Sequence, residues 1–120
     1  MTRSEWRKTP KGRAYRLRAA MKHHNRNAIW VNALKVLEGC ADCGFNKWPE
    51  ALDFDHKPSA DKEFNISQRL MYSATKLKAE IAKCVVRCAN CHRHITQERL
   101  VSMVVTTIIS VLVIPQISLR

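Results

Sequence analysis

The chain carries two pairs of cysteines, each with two residues between its members: Cys40 with Cys43, and Cys88 with Cys91. At this spacing both thiolates of a pair can reach one tetrahedral ion at about 2.3 Å. Four cysteines bound to one ion would tie residues 40–43 to residues 88–91. No other feature of the chain constrains its fold as strongly.

We expect Cys40, Cys43, Cys88 and Cys91 to hold a structural Zn²⁺. The chain opens with MTRSEWRKTPKGR, which has no apolar stretch typical of a signal peptide, so we expect a cytoplasmic protein with reduced cysteines. The alternatives are disulfides or two redox pairs, but thioredoxin-like chemistry would need a βαβ context that is absent here. Four thiolates leave no open position on the ion, so chemistry must lie elsewhere. The fifth cysteine, Cys84, is expected to be a small buried side chain.

The positive charge of the chain is concentrated at its start. Of a net charge of +11 over 120 residues, residues 1–35 contribute +9, since they hold ten basic residues and one acid, Glu5. Such a surplus favours a polyanionic partner, either nucleic acid or an anionic membrane surface. Trp6, Tyr15 and Trp30 lie in the same segment and can stack on bases, although Trp30 is expected to pack in the core.

The length of 120 residues allows one domain, and the residue patterns predict that it is of the α+β class. Residues 14–21 and 28–37 read as helices, and the second is expected to end at Gly39, a typical helix C-cap. The alternation in LDFDH predicts a strand over 52–56. The remaining predicted elements are a second possible strand at 64–67, a helix at 75–83 and a charged helix at about 90–100 that begins at Asn90.

Carboxylates and imidazoles lie close to the cysteine pairs. Asp55 and His56 end the predicted strand, and His92 and His94 follow Cys91. Oxygen and nitrogen ligands of this kind suit a divalent cation, and a remaining histidine can act as a base near neutral pH. Asp55 and His56 can face one phosphate only if the strand ends or bulges there, because neighbouring strand residues point to opposite faces.

The segments CADCG, LDFDHKP, FNIS and EIAKCVVRCANCHR occur in this order. Together they resemble the HNH endonucleases, particularly small phage-type forms that carry two CxxC pairs. The resemblance covers about residues 38–99. It implies a ββα-metal (His-Me finger) core that hydrolyses DNA with one divalent cation, Mg²⁺ or another.

The resemblance also implies roles for individual residues. His56 matches the general base that deprotonates the attacking water, and Asp55 and His92 match the two protein ligands of the catalytic cation. The middle Asn of the family motif has no clear counterpart, because Lys83 and Cys84 stand where it is expected. Asn65 and Asn90 are the available substitutes.

These observations divide the chain into a basic helical DNA-binding arm (1–37), a nuclease core (38–99) and an apolar tail (100–120). The expected partner is double-stranded DNA, with no small-molecule cofactor, in the cytoplasm of the host cell if the gene is a phage gene. The alternative function is that of a non-catalytic, zinc-stabilised DNA-binding protein. The expected nucleic-acid contacts are Arg13, Arg16, Arg18, Lys22, Arg26, Lys57 and Arg93, with Arg87 as a further candidate.

The tail differs from the rest of the sequence in its composition. Residues 100–119 contain no charged residue, 13 apolar residues and seven Ser, Thr, Gln or Pro. Their length barely suffices to span a bilayer, and the polar residues weaken insertion. Two other interpretations remain open: a strand or helix that covers an apolar face, or a segment that the nuclease core does not need.

Overall fold

The computed structural model describes residues 1–112, and within them the chain forms four α-helices and one two-stranded antiparallel sheet. The α+β class is therefore confirmed. In chain order the elements are α1 (Arg3–Lys8), α2 (Pro10–Glu38), β1 (Leu52–His56), α3 (Ala74–Ile81), β2 (Cys84–Cys88) and α4 (Ala89–Leu112), with short 3₁₀ turns at Pro49–Ala51 and Ile66–Gln68.

The first two helices form a hairpin whose turn is a single residue. Thr9 ends α1 and also caps α2, where its hydroxyl accepts a hydrogen bond from the N–H of Gly12 at 3.1 Å. Pro10 follows at the first helical position, where its missing N–H costs nothing. The capping box of Thr2 and Glu5 fixes the start of α1.

The two helices predicted at 14–21 and 28–37 are one continuous helix, α2, of 29 residues. The intervening segment, KHHNRN, contains no proline or glycine that would interrupt a helix. The predicted end is confirmed: Gly39 has φ of 67° and its N–H bonds to the carbonyl of Lys35 at 2.9 Å. Since φ is positive, glycine suits this position.

The strand predicted at 52–56 is confirmed as β1, but the second strand predicted at 64–67 does not form. That segment is irregular and runs into the 3₁₀ turn at Ile66–Gln68. The partner of β1 is instead β2, with Leu52 opposite Cys88 and His56 opposite Cys84. The short β-branched stretch of β2 lies between α3 and α4, so its pairing depends on the chain reversal made by α3.

The hydrophobic core is small and lies beside the cysteines. Cys40, Leu52, Val86 and Cys88 form its buried centre, with Val36, Phe45, Phe54 and Cys91 packed against it. Asn27 joins α2 to the loop before α3, because its buried side chain donates to the carbonyls of Leu70 at 2.6 Å and Tyr72 at 2.8 Å. The last three turns of α2 thus belong to the core.

Helix α4 starts at Ala89, packs on both strands and continues well past the end predicted near residue 100. Large apolar side chains beyond that point are exposed, for example Met103 at 68% and Val111 at 73%. They therefore do not cover an apolar face of the described residues. Among residues 1–112, none of the helices combines the length and the apolarity that a membrane span requires. The tail residues 113–120 lie outside the described residues.

Candidate functional site

The four cysteines predicted to bind zinc come together at one point. Their sulfur atoms all lie within 4.8 Å of one another, and those of Cys43 and Cys88 are 3.7 Å apart. Ligands in a tetrahedron at about 2.3 Å from one Zn²⁺ are separated by about 3.8 Å, so the cluster fits a structural zinc site. The N–H of Ala41 bonds to the carbonyl of Val86 at 2.8 Å, which holds the first pair against β2.

Electrostatics within the cluster also favour a bound cation. Burial opposes ionisation of Cys40, but the backbone N–H groups of Cys43, Cys88 and Asp42 lower the pKa of its thiol to about 6. The nearby sulfur of Cys88 raises the pKa of Cys91 to about 12. The Cys40 thiolate thus forms readily while Cys91 resists ionisation, and a divalent cation would supply the charge that lets the cluster ionise together.

A second group of ligand atoms lies where β1 faces α4. Asp53 and Asp55 are two residues apart on β1, so they share one face of the strand, and both contact His92. Asp53 Oδ2 lies 3.1 Å from His92 Nδ1, and Asp55 Oδ1 lies 3.5 Å from His92 Nε2. An ionised carboxylate only accepts hydrogen bonds, so His92 Nδ1 carries the proton that faces Asp53. Nε2 lies 3.5 Å from Asp55 Oδ1 without forming a hydrogen bond, so in a neutral ring its lone pair remains available to a cation bound between the two atoms, as in metal-binding histidines with an outer carboxylate.

The Asp55 and His92 pair fits a divalent cation by distance. Two ligand atoms each about 2.1 Å from one ion lie at most about 4.2 Å apart, and the observed separation is 3.5 Å. Asp55 is 5% exposed and is also paired with Arg87 at 2.6 Å and Arg99 at 3.3 Å. Arg87, considered above as a phosphate contact, is therefore engaged in ion pairs within the protein.

His56, the predicted base, ends β1 and lines the same cavity of about 360 Å³ as Asp55 and His92. Its Nε2 lies 2.7 Å from Oε1 of Glu80, a side chain from α3 that is 1% exposed. Within the described residues Nδ1 of His56 has no hydrogen-bond partner, and it is not a buried unsatisfied atom, so solvent reaches it. Glu80 was not predicted as a site residue. Its position three residues after Leu77 places it on the inward face of the helix, and this pattern could have indicated a buried carboxylate.

Neither candidate for the middle Asn forms a hydrogen bond with His56 in the part of the chain that is described. Asn65 lines the cavity but bonds to Gln68 at 3.3 Å, and Asn90 lies on α4 beside Cys43, around a separate groove. Cys84 was expected to be a small buried side chain, and it is only partly buried. Its thiol donates to the carbonyl of Glu80 at 3.5 Å. It lies outside the four-sulfur cluster.

The predicted nucleic-acid contacts divide into two groups. Lys57 and Arg93 are exposed and follow His56 and His92 directly in the chain, although neither of them lines the cavity. The others are exposed along the projecting part of α2, with some local partners: Arg13 bonds to the carbonyl of Lys8, and Arg26 to His23. Residues of this second group are Arg13, Arg16, Arg18, Lys22 and Arg26.

Comparisons with protein-family models, with curated proteins and with solved structures return no match for this chain.

Proposed function

We propose that this protein is a metal-dependent endonuclease that hydrolyses DNA phosphodiester bonds, with His56 as general base and one divalent cation held by Asp55 and His92. The observation that carries the proposal is the meeting of these three side chains at one cavity, beside a four-cysteine cluster that can hold zinc. The resemblance of residues 38–99 to HNH endonucleases supports it, as does the order of β1, β2 and α4, in which the helix packs on both strands.

The residues of the cavity divide the chemistry between them. His56 accepts a proton from a water molecule, whose oxygen forms a bond to phosphorus as the bond from phosphorus to the leaving sugar oxygen breaks. Solvent supplies the proton that the leaving oxygen takes up. A divalent cation at Asp55 and His92 would neutralise the negative charge that grows on the phosphoryl and leaving oxygens. Asp53 keeps the His92 ring oriented for this role.

The basic residues supply affinity for DNA in this proposal. The segment 1–35 has a net charge of +9, and its side chains on α2 are exposed where they can neutralise phosphates and release counterions. Contacts of this kind position a duplex without reading its sequence. Lys57 and Arg93 are proposed to contact the phosphates next to the one that is cut.

A second candidate function is that of a zinc-stabilised DNA-binding protein without catalysis. One observation favours it: both carboxylate oxygens of Asp55 are already paired with arginines, Arg87 and Arg99. A cation would have to displace or share these contacts. In that case His56 and His92 would serve only as hydrogen-bonding groups of the fold.

Supercoiled plasmid separates the two candidates. We expect the zinc-loaded protein to convert the plasmid into nicked or linear DNA when Mg²⁺ or Mn²⁺ is added, and to leave it intact in their absence, because the charge on the phosphate must be neutralised. Gel electrophoresis of the products and a mobility-shift measurement of binding are made in the same buffers. Binding without cleavage at every metal concentration would contradict the nuclease and support the second candidate.

A further inference from the structure

Glu80 is held rigidly at three points by groups from three parts of the chain. Its Oε1 lies 2.7 Å from His56 Nε2 and 3.0 Å from the backbone N–H of Glu63, and its Oε2 lies 2.9 Å from Nζ of Lys83. Lys83 is itself fixed, because Nζ also donates to the carbonyl of Asp61 at 2.7 Å. A carboxylate anchored in this way cannot move independently of α3 and the loop 57–65.

The buried carboxylate is ionised. Burial alone would raise the pKa of Glu80, but hydrogen bonds from Lys83, the N–H of Glu63 and His56 lower it to about 2. An ionised carboxylate has no proton to donate, so His56 Nε2 must be the donor in the contact between them. A neutral His56 ring therefore carries its proton on Nε2 and leaves the lone pair of Nδ1 free.

We propose that Glu80 is the positioning residue for His56: it fixes the orientation of the ring and its protonated nitrogen, so that Nδ1 is the atom that takes the proton from water. This inference rests on the proposed function. It deepens that function by naming the reacting atom and a group that no sequence motif singled out. The contact is short, the carboxylate is 1% exposed, and Nδ1 is the His56 nitrogen that solvent reaches.

Glu80 also has a structural role, and the test must separate the two. Its bonds to Glu63 and Lys83 hold the loop 57–65 onto α3. Lys83→Met removes the partner of Oε2 but keeps the contacts of Oε1 to His56 and to the N–H of Glu63. It also raises the pKa of Glu80, so it serves as the matched control when the variants are compared at about pH 8, where the carboxylate stays ionised. Glu80→Gln keeps an oxygen that can accept from His56 Nε2, whereas Glu80→Ala removes it.

The first measurement is the ¹⁵N-resolved NMR spectrum of the histidine rings in the full-length, zinc-loaded protein. We expect the His56 Nε2 proton to be visible and slow to exchange with water in the wild type and in Lys83→Met, and to be lost in Glu80→Ala. A His56 proton on Nδ1, or an unchanged Nε2 signal in Glu80→Ala, would overturn the proposal. Because this readout needs no cleavage, it decides the inference even if the protein proves not to be a nuclease.

The second measurement is plasmid cleavage by the same variants, with zinc content confirming that each is folded. We expect Glu80→Ala to lower kcat by about 10- to 100-fold with KM for DNA unchanged, as for other groups that orient a reacting residue. Glu80→Gln should restore most of the rate, and Lys83→Met should stay near the wild type. An equal loss for Glu80→Ala and Lys83→Met would show a purely structural role. Absence of cleavage by the wild type would overturn the proposed function instead.

Discussion

At the scale of single residues, the five cysteines differ in what surrounds each sulfur. Cys40, Cys43, Cys88 and Cys91 share one cluster, whereas burial and the charges of Glu80 and Asp55 raise the pKa of Cys84 to about 11. Cys84 is therefore a thiol at neutral pH, and a thiol is a poor ligand for zinc. Spacing in the sequence is enough to make this distinction, because a pair separated by two residues forms a turn that directs both sulfurs to one point.

Zinc content tests this assignment directly. We expect Cys84→Ala to bind as much zinc as the wild type, because its sulfur lies outside the cluster, and Cys91→Ala to lose zinc and with it the fold around β2. Metal analysis of the purified variants gives the ratio of zinc to protein. Equal zinc losses in the two variants would show that Cys84 takes part in the site.

Some residues of the candidate site were harder to predict from the sequence than others. His92 was predicted because it follows Cys91 directly, and Asp55 and His56 because they end a predicted strand between the two cysteine pairs; all three also match a motif. Glu80 and Asp53 contact residues that lie 24 and 39 positions away along the chain, His56 and His92. Such contacts depend on how α3 and α4 pack against β1, and local periodicity carries no information about that packing.

At the scale of elements, the hairpin of α1 and α2 depends on one glycine. A Cβ at Gly12 would overlap the carbonyl oxygen of Trp6 and lie 2.9 Å from the Cα of Arg7, so only glycine lets the two helices approach. The hairpin also pairs the rings of Trp6 and Tyr15, whose centroids are 5.7 Å apart. Capping residues and Pro10 predict where a helix begins, but they do not predict this close approach.

Whether Gly12→Ala stabilises or disrupts the packing of α1 on α2 tests this description of the hairpin. Replacing glycine by alanine inside a helix normally stabilises it by about 1 kcal/mol, yet we expect Gly12→Ala to separate α1 from α2 because of the overlap with Trp6. Limited trypsin digestion should then cut at Arg7 and Lys8 faster than in the wild type. The control is Asn25→Ala, an exposed position of the same helix where no such overlap arises. Equal or slower digestion of Gly12→Ala would contradict this description of the hairpin.

At the scale of the whole molecule, α2 connects the basic arm to the candidate site. Val31 and Lys35 of its C-terminal half line the cavity that holds His56, while its N-terminal half extends about 25 Å beyond Asn27. Because the helix is continuous, the charges of the arm keep a fixed relation to the cavity. Periodicity predicted both halves as helical but could not show that they join, since a short polar segment suits a helix as well as a loop.

The small core explains why a metal cluster matters to the molecule as a whole. Cys40 and Cys88 are themselves core residues beside Leu52 and Val86, so the cluster lies against β1 and β2 rather than at the periphery. A domain with so few buried apolar side chains would gain much of its stability from a metal bound at this cluster. The same strands carry Asp55 and His56, so the proposed catalytic groups depend on that cluster for their alignment.

The most direct test of the proposed function is the single-turnover rate at which zinc-loaded His56→Ala cleaves supercoiled plasmid in Mg²⁺, relative to the wild type. His94→Ala is the control, because His94 is an exposed histidine of α4 paired only with Glu98 among its described ion pairs. We predict that His56→Ala is slower by about 10²- to 10⁴-fold, the usual contribution of a general base, with DNA affinity and zinc content unchanged. Cleavage by His56→Ala at the rate of the wild type and His94→Ala would contradict the proposal.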